Sequence, residues 1–112
     1  MAFHKTEEFT KKEQEVAAIA KAISHPARVQ ILKILAKKNE CVCGEIVEVL
    51  PLAQSTVSQH LSALLDAGLI QGTIDGPRSC YCIDPKGIQK AEVLMDDFFE
   101  NIKAMQSKSK CC

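Results

Sequence analysis

Residues 45–65 read EIVEVLPLAQSTVSQHLSALL, and this stretch decides the fold. Glu45 to Leu50 is expected as a short helix stopped by Pro51, and a second helix is expected from about Gln54 to Ala67. In that second helix Leu61 follows Val57 by four residues and precedes Leu64 and Leu65 by three and four, marking one buried face, and Gly68 suits the position just past its end. Between those apolar positions stand Gln54, Ser55, Thr56, Ser58, Gln59 and His60. Gln, Ser and Thr side chains reach base edges, while hydroxyls and helix N-terminal amides hold phosphate. Two helices joined by a tight turn, with such groups on the first turns of the second, read as a helix-turn-helix that binds DNA.

The rest of the chain extends that unit on both sides. Residues 1–9 read as a polar N-terminal arm, residues 10–106 as a DNA-binding and dimerisation domain, and residues 107–112 as a flexible tail. Thr10 and Glu13 stand at capping-box spacing ahead of a helix marked by Val16, Ile19, Ala20 and Ile23. Ser24-His25-Pro26 ends it and opens another helix, which carries Val29, Ile31, Leu32, Ile34 and Leu35 and closes on Lys37 and Lys38. Cys41-Val42-Cys43, with its β-branched centre and the glycine after it, reads as a stub of strand or an irregular turn. Downstream, Leu69–Ile74 and Ser79–Ile83 form a hairpin across Asp75-Gly76-Pro77-Arg78. A last helix runs from Pro85 to about Met105, with Ile88, Ala91, Met95, Phe98, Ile102 and Met105 on an a/d seam. The order is mainly α with a small β-hairpin: a winged helix-turn-helix of five helices, dimerising through its terminal helices. A two-fold dimer would present two recognition helices to palindromic double-stranded operator DNA.

Composition narrows the function. A chain of 112 residues is one domain, and its net charge of zero argues against binding polyanions by bulk charge alone. No Lys or Arg lies between Lys38 and Arg78, so phosphate neutralisation falls to Arg28, Lys33, Lys37, Lys38 and Arg78, with Lys11 or Lys12 as further candidates. The sequence carries no apolar run long enough to span a membrane, and its polar start is not a signal peptide, so a cytoplasmic protein is expected. In a reducing cytosol, six cysteines favour metal binding or thiol chemistry over a disulfide framework. No nucleophile–base pair and no phosphate-binding glycine loop is present, so an enzyme is not expected.

The chain resembles the arsenical-resistance repressor (ArsR/SmtB) family of winged-helix metal-sensing regulators over roughly Ala17 to Ile102. The resemblance rests on Ser24-His25-Pro26-Ala27-Arg28-Val29, Gly44-Glu45-Ile46, the run Gln54 to Leu61, Ala67-Gly68-Leu69-Ile70, and the wing from Gly76 through Tyr81 to Pro85. It implies that Ser55, Thr56, Ser58, Gln59 and His60 face DNA, and that the protein represses an operon until a metal ion or arsenite binds. DNA binding itself requires no cofactor on this reading. Two of the family's sensing sites do not carry over. The last helix offers Glu92, Asp96, Asp97 and Glu100 but no His for a zinc site. Of the arsenite site's three cysteines, Cys41 and Cys43 sit one residue upstream and Ile46 holds the third place.

What remains is a matched pair, Cys41-Val42-Cys43 and Cys80-Tyr81-Cys82. Alternation along a strand puts both thiols of each pair on one face. If the first segment pairs with the second wing strand, four thiols approach across the ladder and select arsenite or a soft metal. Burial of Cys41 and Cys43 as small hydrophobes is the competing reading. Cys111 and Cys112 are further candidate ligands on the tail. Three functions stay open at this point: a repressor released by a thiol-binding metalloid or metal, arsenite first; a repressor of the same fold that senses oxidants through disulfides; and a thiol or metal-carrier protein that binds no DNA.

Overall fold

The computed structural model describes residues 8–39, 41–43, 51–73 and 80–106. Helix α1 spans Lys11–Ala22, and its first turn closes by the reciprocal bonds that the sequence announces. Glu13 N donates to Thr10 Oγ1 at 3.0 Å, and Thr10 N donates to Glu13 Oε1 at 2.9 Å. Helix α2 spans Pro26–Lys38, with Pro26 in its first turn and His25 as N-cap. The His25 ring supplies the cap, its Nδ1 accepting from Ala27 N at 3.0 Å. Asn39 ends α2 in the left-handed conformation.

Strand β1, Val42–Cys43, is followed after residues 44–53 by helix α3, Gln54–Asp66. The expected helix over Glu45–Leu50 lies outside the described residues, which hold four helices rather than five. Past α3, Gly68 takes φ 78°, its N–H bonds Leu65 O at 3.0 Å, and Leu69 N bonds Leu64 O at 3.1 Å. That pair of bonds is a Schellman motif, and it turns the chain into the sheet.

Strands β2, Ile70–Thr73, and β3, Cys80–Ile83, pair antiparallel, and β1 adds to the other side of β3. The wing is therefore a three-stranded sheet in the order β1-β3-β2, not a bare hairpin. Helix α4, Pro85–Gln106, starts under Asp84, whose Oδ1 accepts from Lys86 N at 3.1 Å and Gly87 N at 3.2 Å.

The core lies where α2 packs on α3 and β3, while α1 lies along α4. Ile31, Leu35, Val57 and Leu64 are its fully buried side chains, joined by Leu61, Leu69, Ile70, Val42 and Tyr81. No helix among the described residues is long and apolar enough to cross a membrane.

One contact fixes α4 against the end of α3. A Cβ added at Gly87 would run into the backbone carbonyl of Gly68, which has no rotamer to yield. Gly87→Ala is therefore expected to lower stability by about 1–3 kcal/mol, read as a lower urea midpoint with an unchanged slope.

Candidate functional site

Helix α3 divides by face. Val57, Leu61 and Leu64 are buried, whereas Gln54, Ser55 and Gln59 are exposed and Thr56 and Ser58 are half-buried at the margins. Ala53 caps the helix without a side-chain bond, which leaves the first-turn amides to other acceptors. Solvent thus meets two glutamines, hydroxyls and a helix N-terminus, a set suited to base edges and phosphate.

His60 departs from that face. It is buried, and its Nδ1 accepts from Arg28 Nε at 3.1 Å. Its ring lies 4.5 Å, centroid to centroid, from that of His25. Burial pushes its pKa below the usual 6.5, and the charges of His25 and Arg28 push the same way. The expectation that His60 points at DNA meets a side chain on the inner margin of the helix, because position 60 lies three residues after buried Val57 and four before buried Leu64.

Two of the expected phosphate-binding cations are engaged within the fold. Besides His60, Arg28 donates from Nη1 to Lys21 O at 3.2 Å and Ala22 O at 3.3 Å, serving carbonyls that the end of α1 leaves without helical partners. Lys12 pairs with Asp97 of α4 at 2.9 Å, and that hydrogen bond raises its pKa. Lys33 and Lys37 stay exposed on α2, and Arg78 lies outside the described residues.

The wing brings the two Cys-x-Cys segments together. Val42 stands opposite Tyr81, and both are buried toward the core. On β3, Cys80 and Cys82 therefore take the other face of the sheet. Cys41 and Cys82 are joined as a disulfide with Cα atoms 4.3 Å apart. One step along the ladder Cys43 stands opposite Cys80, and Cys80 is also disulfide-bonded. Cys41 and Cys82 line a cleft of about 420 Å³ together with Leu35, Asn39, Gln71 and Pro85. Among the described residues no three His, Cys, Asp or Glu side chains gather into a metal cage. Cys111 and Cys112 lie outside them.

The expected dimer seam splits in two. Ala91 is buried in the subunit's own core and Ile88 packs against it, so these two positions are not free for a partner. Phe98, Ile102 and Met105 are exposed, and with Met95 they border an apolar groove of about 770 Å³ that Phe9, Val16 and Ala20 close from the α1 side. The a/d spacing marks one continuous apolar face, of which only the first part is buried within the subunit.

Sequence reasoning missed the half-buried Arg28–His60 link and the capping roles of His25 and Asp84. The caps were legible: His25 directly precedes a first-turn proline, and Asp84 stands just ahead of Pro85, both N-cap positions.

A recognition helix backed by a three-helix core and flanked by a small antiparallel sheet defines a winged-helix regulator of transcription. Residues 25–71 match the family described as "Bacterial regulatory protein, arsR family". The chain is 36% identical over 75 residues to the HTH-type transcriptional regulator YgaV of Escherichia coli (strain K12), covering 67% of this chain and 76% of that protein. It is 26% identical over 99 residues to the arsenical resistance operon repressor of Staphylococcus aureus, covering 88% of each. A crystal structure of an ArsR family transcriptional regulator superposes with a TM-score of 0.69 at 18% identity, over 85% of this chain and 97% of that one, a likeness of fold. The chain belongs to the ArsR family of helix-turn-helix transcriptional regulators, whose members here are regulators and not enzymes.

Proposed function

We propose that this protein is a homodimeric transcriptional repressor, released from its operator when thiols on its wing capture arsenite or another thiophilic ion. The observation that carries the reading is the β1–β3 register, which sets Cys41 and Cys43 against Cys82 and Cys80. Thiolates are soft ligands, and four of them across one ladder suit arsenite, Cd, Zn or Cu(I). Gln54, Ser55, Thr56, Ser58 and Gln59 contact palindromic duplex DNA, Arg78 adds charge at the wing tip, and His60 supports α3 from within. The dimer forms through the groove of Met95, Phe98, Ile102 and Met105. Similarity to a repressor named for arsenical resistance supports arsenite as the first inducer to try.

Coupling follows from placement. Cys41 follows the C-terminal end of α2, and Cys82 sits on the strand that leads through Asp84 into α4. A ligand that draws these sulfurs together shifts α2 against α4, and with them the two recognition helices of the dimer.

The Cys41–Cys82 bond favours a second reading, release by oxidation. Peroxide would take two electrons from the two thiols, giving one disulfide and two waters. Fluorescence anisotropy of the reduced protein on its own promoter DNA separates the two. Release by stoichiometric arsenite under excess reductant is the expected result. Release only by peroxide or diamide transfers the sensor to redox chemistry, and no release by arsenite, soft metals or oxidants overturns both.

A further inference from the structure

The junction of α1, α2 and α3 holds a polar cluster that the thiol mechanism does not use. Arg28 reaches two ways: Nη1 donates to the terminal carbonyls of α1, Lys21 O and Ala22 O, and Nε donates to His60 Nδ1 on α3. A fixed guanidinium fork thus ties the recognition helix to the corner where α1 meets α2. Because Nδ1 accepts, the His60 ring is neutral and carries its proton on Nε2, which is buried with no hydrogen-bond partner among the described residues. A second proton on that ring would replace an acceptor with a donor facing Arg28.

We propose that Arg28 is a positioning residue for the recognition helix, and that its bond to a neutral His60 makes operator affinity fall as His60 takes up a proton. The charged groups acting on His60 are His25 and Arg28, both on the α2 side; within α3 itself the described residues next to it, Gln59 and Leu61, carry no charge. Burial, His25 and Arg28 all oppose protonation, so the ring's pKa in the folded protein lies below its unfolded value of about 6.5. The unfolded chain therefore binds the proton more readily than the folded one. Stability from this site is complete above about pH 6.5 and is lost as pH falls from there through the folded pKa. The functional sign is diagnostic. Added positive charge by itself strengthens DNA binding on acidification, whereas loss of the Arg28–His60 bond weakens it.

The test is promoter-DNA affinity by anisotropy from pH 7.5 to 5.5, at constant salt with excess reductant. Wild-type affinity is expected to fall below the His60 pKa with a slope approaching about tenfold per subunit per pH unit. His60→Asn places an amide oxygen where Nδ1 stands and does not titrate. It should bind within about threefold of wild type at pH 7.5 and show a flat or rising profile on acidification. His25→Asn, which keeps an N-cap acceptor, should retain the fall. Arg28→Lys should weaken binding at pH 7.5 by about tenfold, because a single ammonium cannot span both acceptors.

A direct NMR titration covers any variant that folds poorly. The His60 ring should titrate below 6.5 in the wild type and move upward in Arg28→Ala. A wild-type profile in His60→Asn, a flat profile in His25→Asn, or a His60 pKa unmoved by loss of Arg28 overturns the proposal. None of these outcomes depends on which inducer the wing thiols bind.

Discussion

The Cys80→Ser, Cys82→Ser double variant is expected to bind its promoter within about threefold of wild type and to lose release by arsenite altogether. Coupling between an effector site and a binding site typically amounts to about 1–3 kcal/mol, or 5- to 150-fold in affinity, and that whole factor should disappear. Cys82 is the residue bonded to Cys41, and Cys80 stands opposite Cys43 in the register. Without the β3 pair, Cys41 and Cys43 remain as two ligands at β1, too few for a trigonal thiolate site and with nothing left to draw toward β3. Tyr81 between them stays buried in the core, so the sheet itself is preserved. Competition anisotropy with arsenite, and separately with diamide, reads the result. Normal release by either agent in the double variant removes the wing from the sensor for that agent and returns attention to Cys41, Cys43 and the tail cysteines.

The sequence made the architecture legible where a local rule has only one structural solution. Thr10 with Glu13, Pro26 opening α2 and Gly68 past α3 each mark an element end on chemistry alone, and each end stands within a residue or two of its expected place. The same local rules failed where a side chain's partner comes from elsewhere in the chain. His60 sits among polar residues expected to face DNA, yet it is buried and bonded to Arg28, 32 positions upstream. Arg28 and Lys12 look like free cations until their acceptors, the α1 carbonyls and Asp97, are in place. Ile88 and Ala91 continue a dimer-like seam because a heptad repeat records which face is buried and not by whom. For the cysteines, alternation along a strand says nothing about the partner strand, and only the register of β1 on β3 sets the two segments opposite each other.

Leu64→Ala is expected to produce the largest loss of stability, about 2–5 kcal/mol. Leu64 is fully buried on the inner face of α3, and its carbonyl receives the Leu69 N–H that closes the Schellman turn into β2. Its side chain packs into the core shared by α2, α3 and the sheet, so truncation leaves a void that no surface loop can collapse to fill. A small domain is stable by only about 5–15 kcal/mol, so this one substitution removes a large fraction of the total. Urea denaturation at fixed protein concentration should show a lower midpoint with an unchanged slope. Gln59→Ala, five residues earlier on the exposed face, is the matched contrast. It should change stability by less than about 0.5 kcal/mol while weakening promoter binding. A loss below about 1 kcal/mol at Leu64 would mean that α3 is held by something other than this core. If Leu64→Ala and Gln59→Ala reduced DNA binding in proportion to their effects on stability, the outer face of α3 would have no recognition role of its own. The two variants together therefore separate what keeps the helix in place from what it reads.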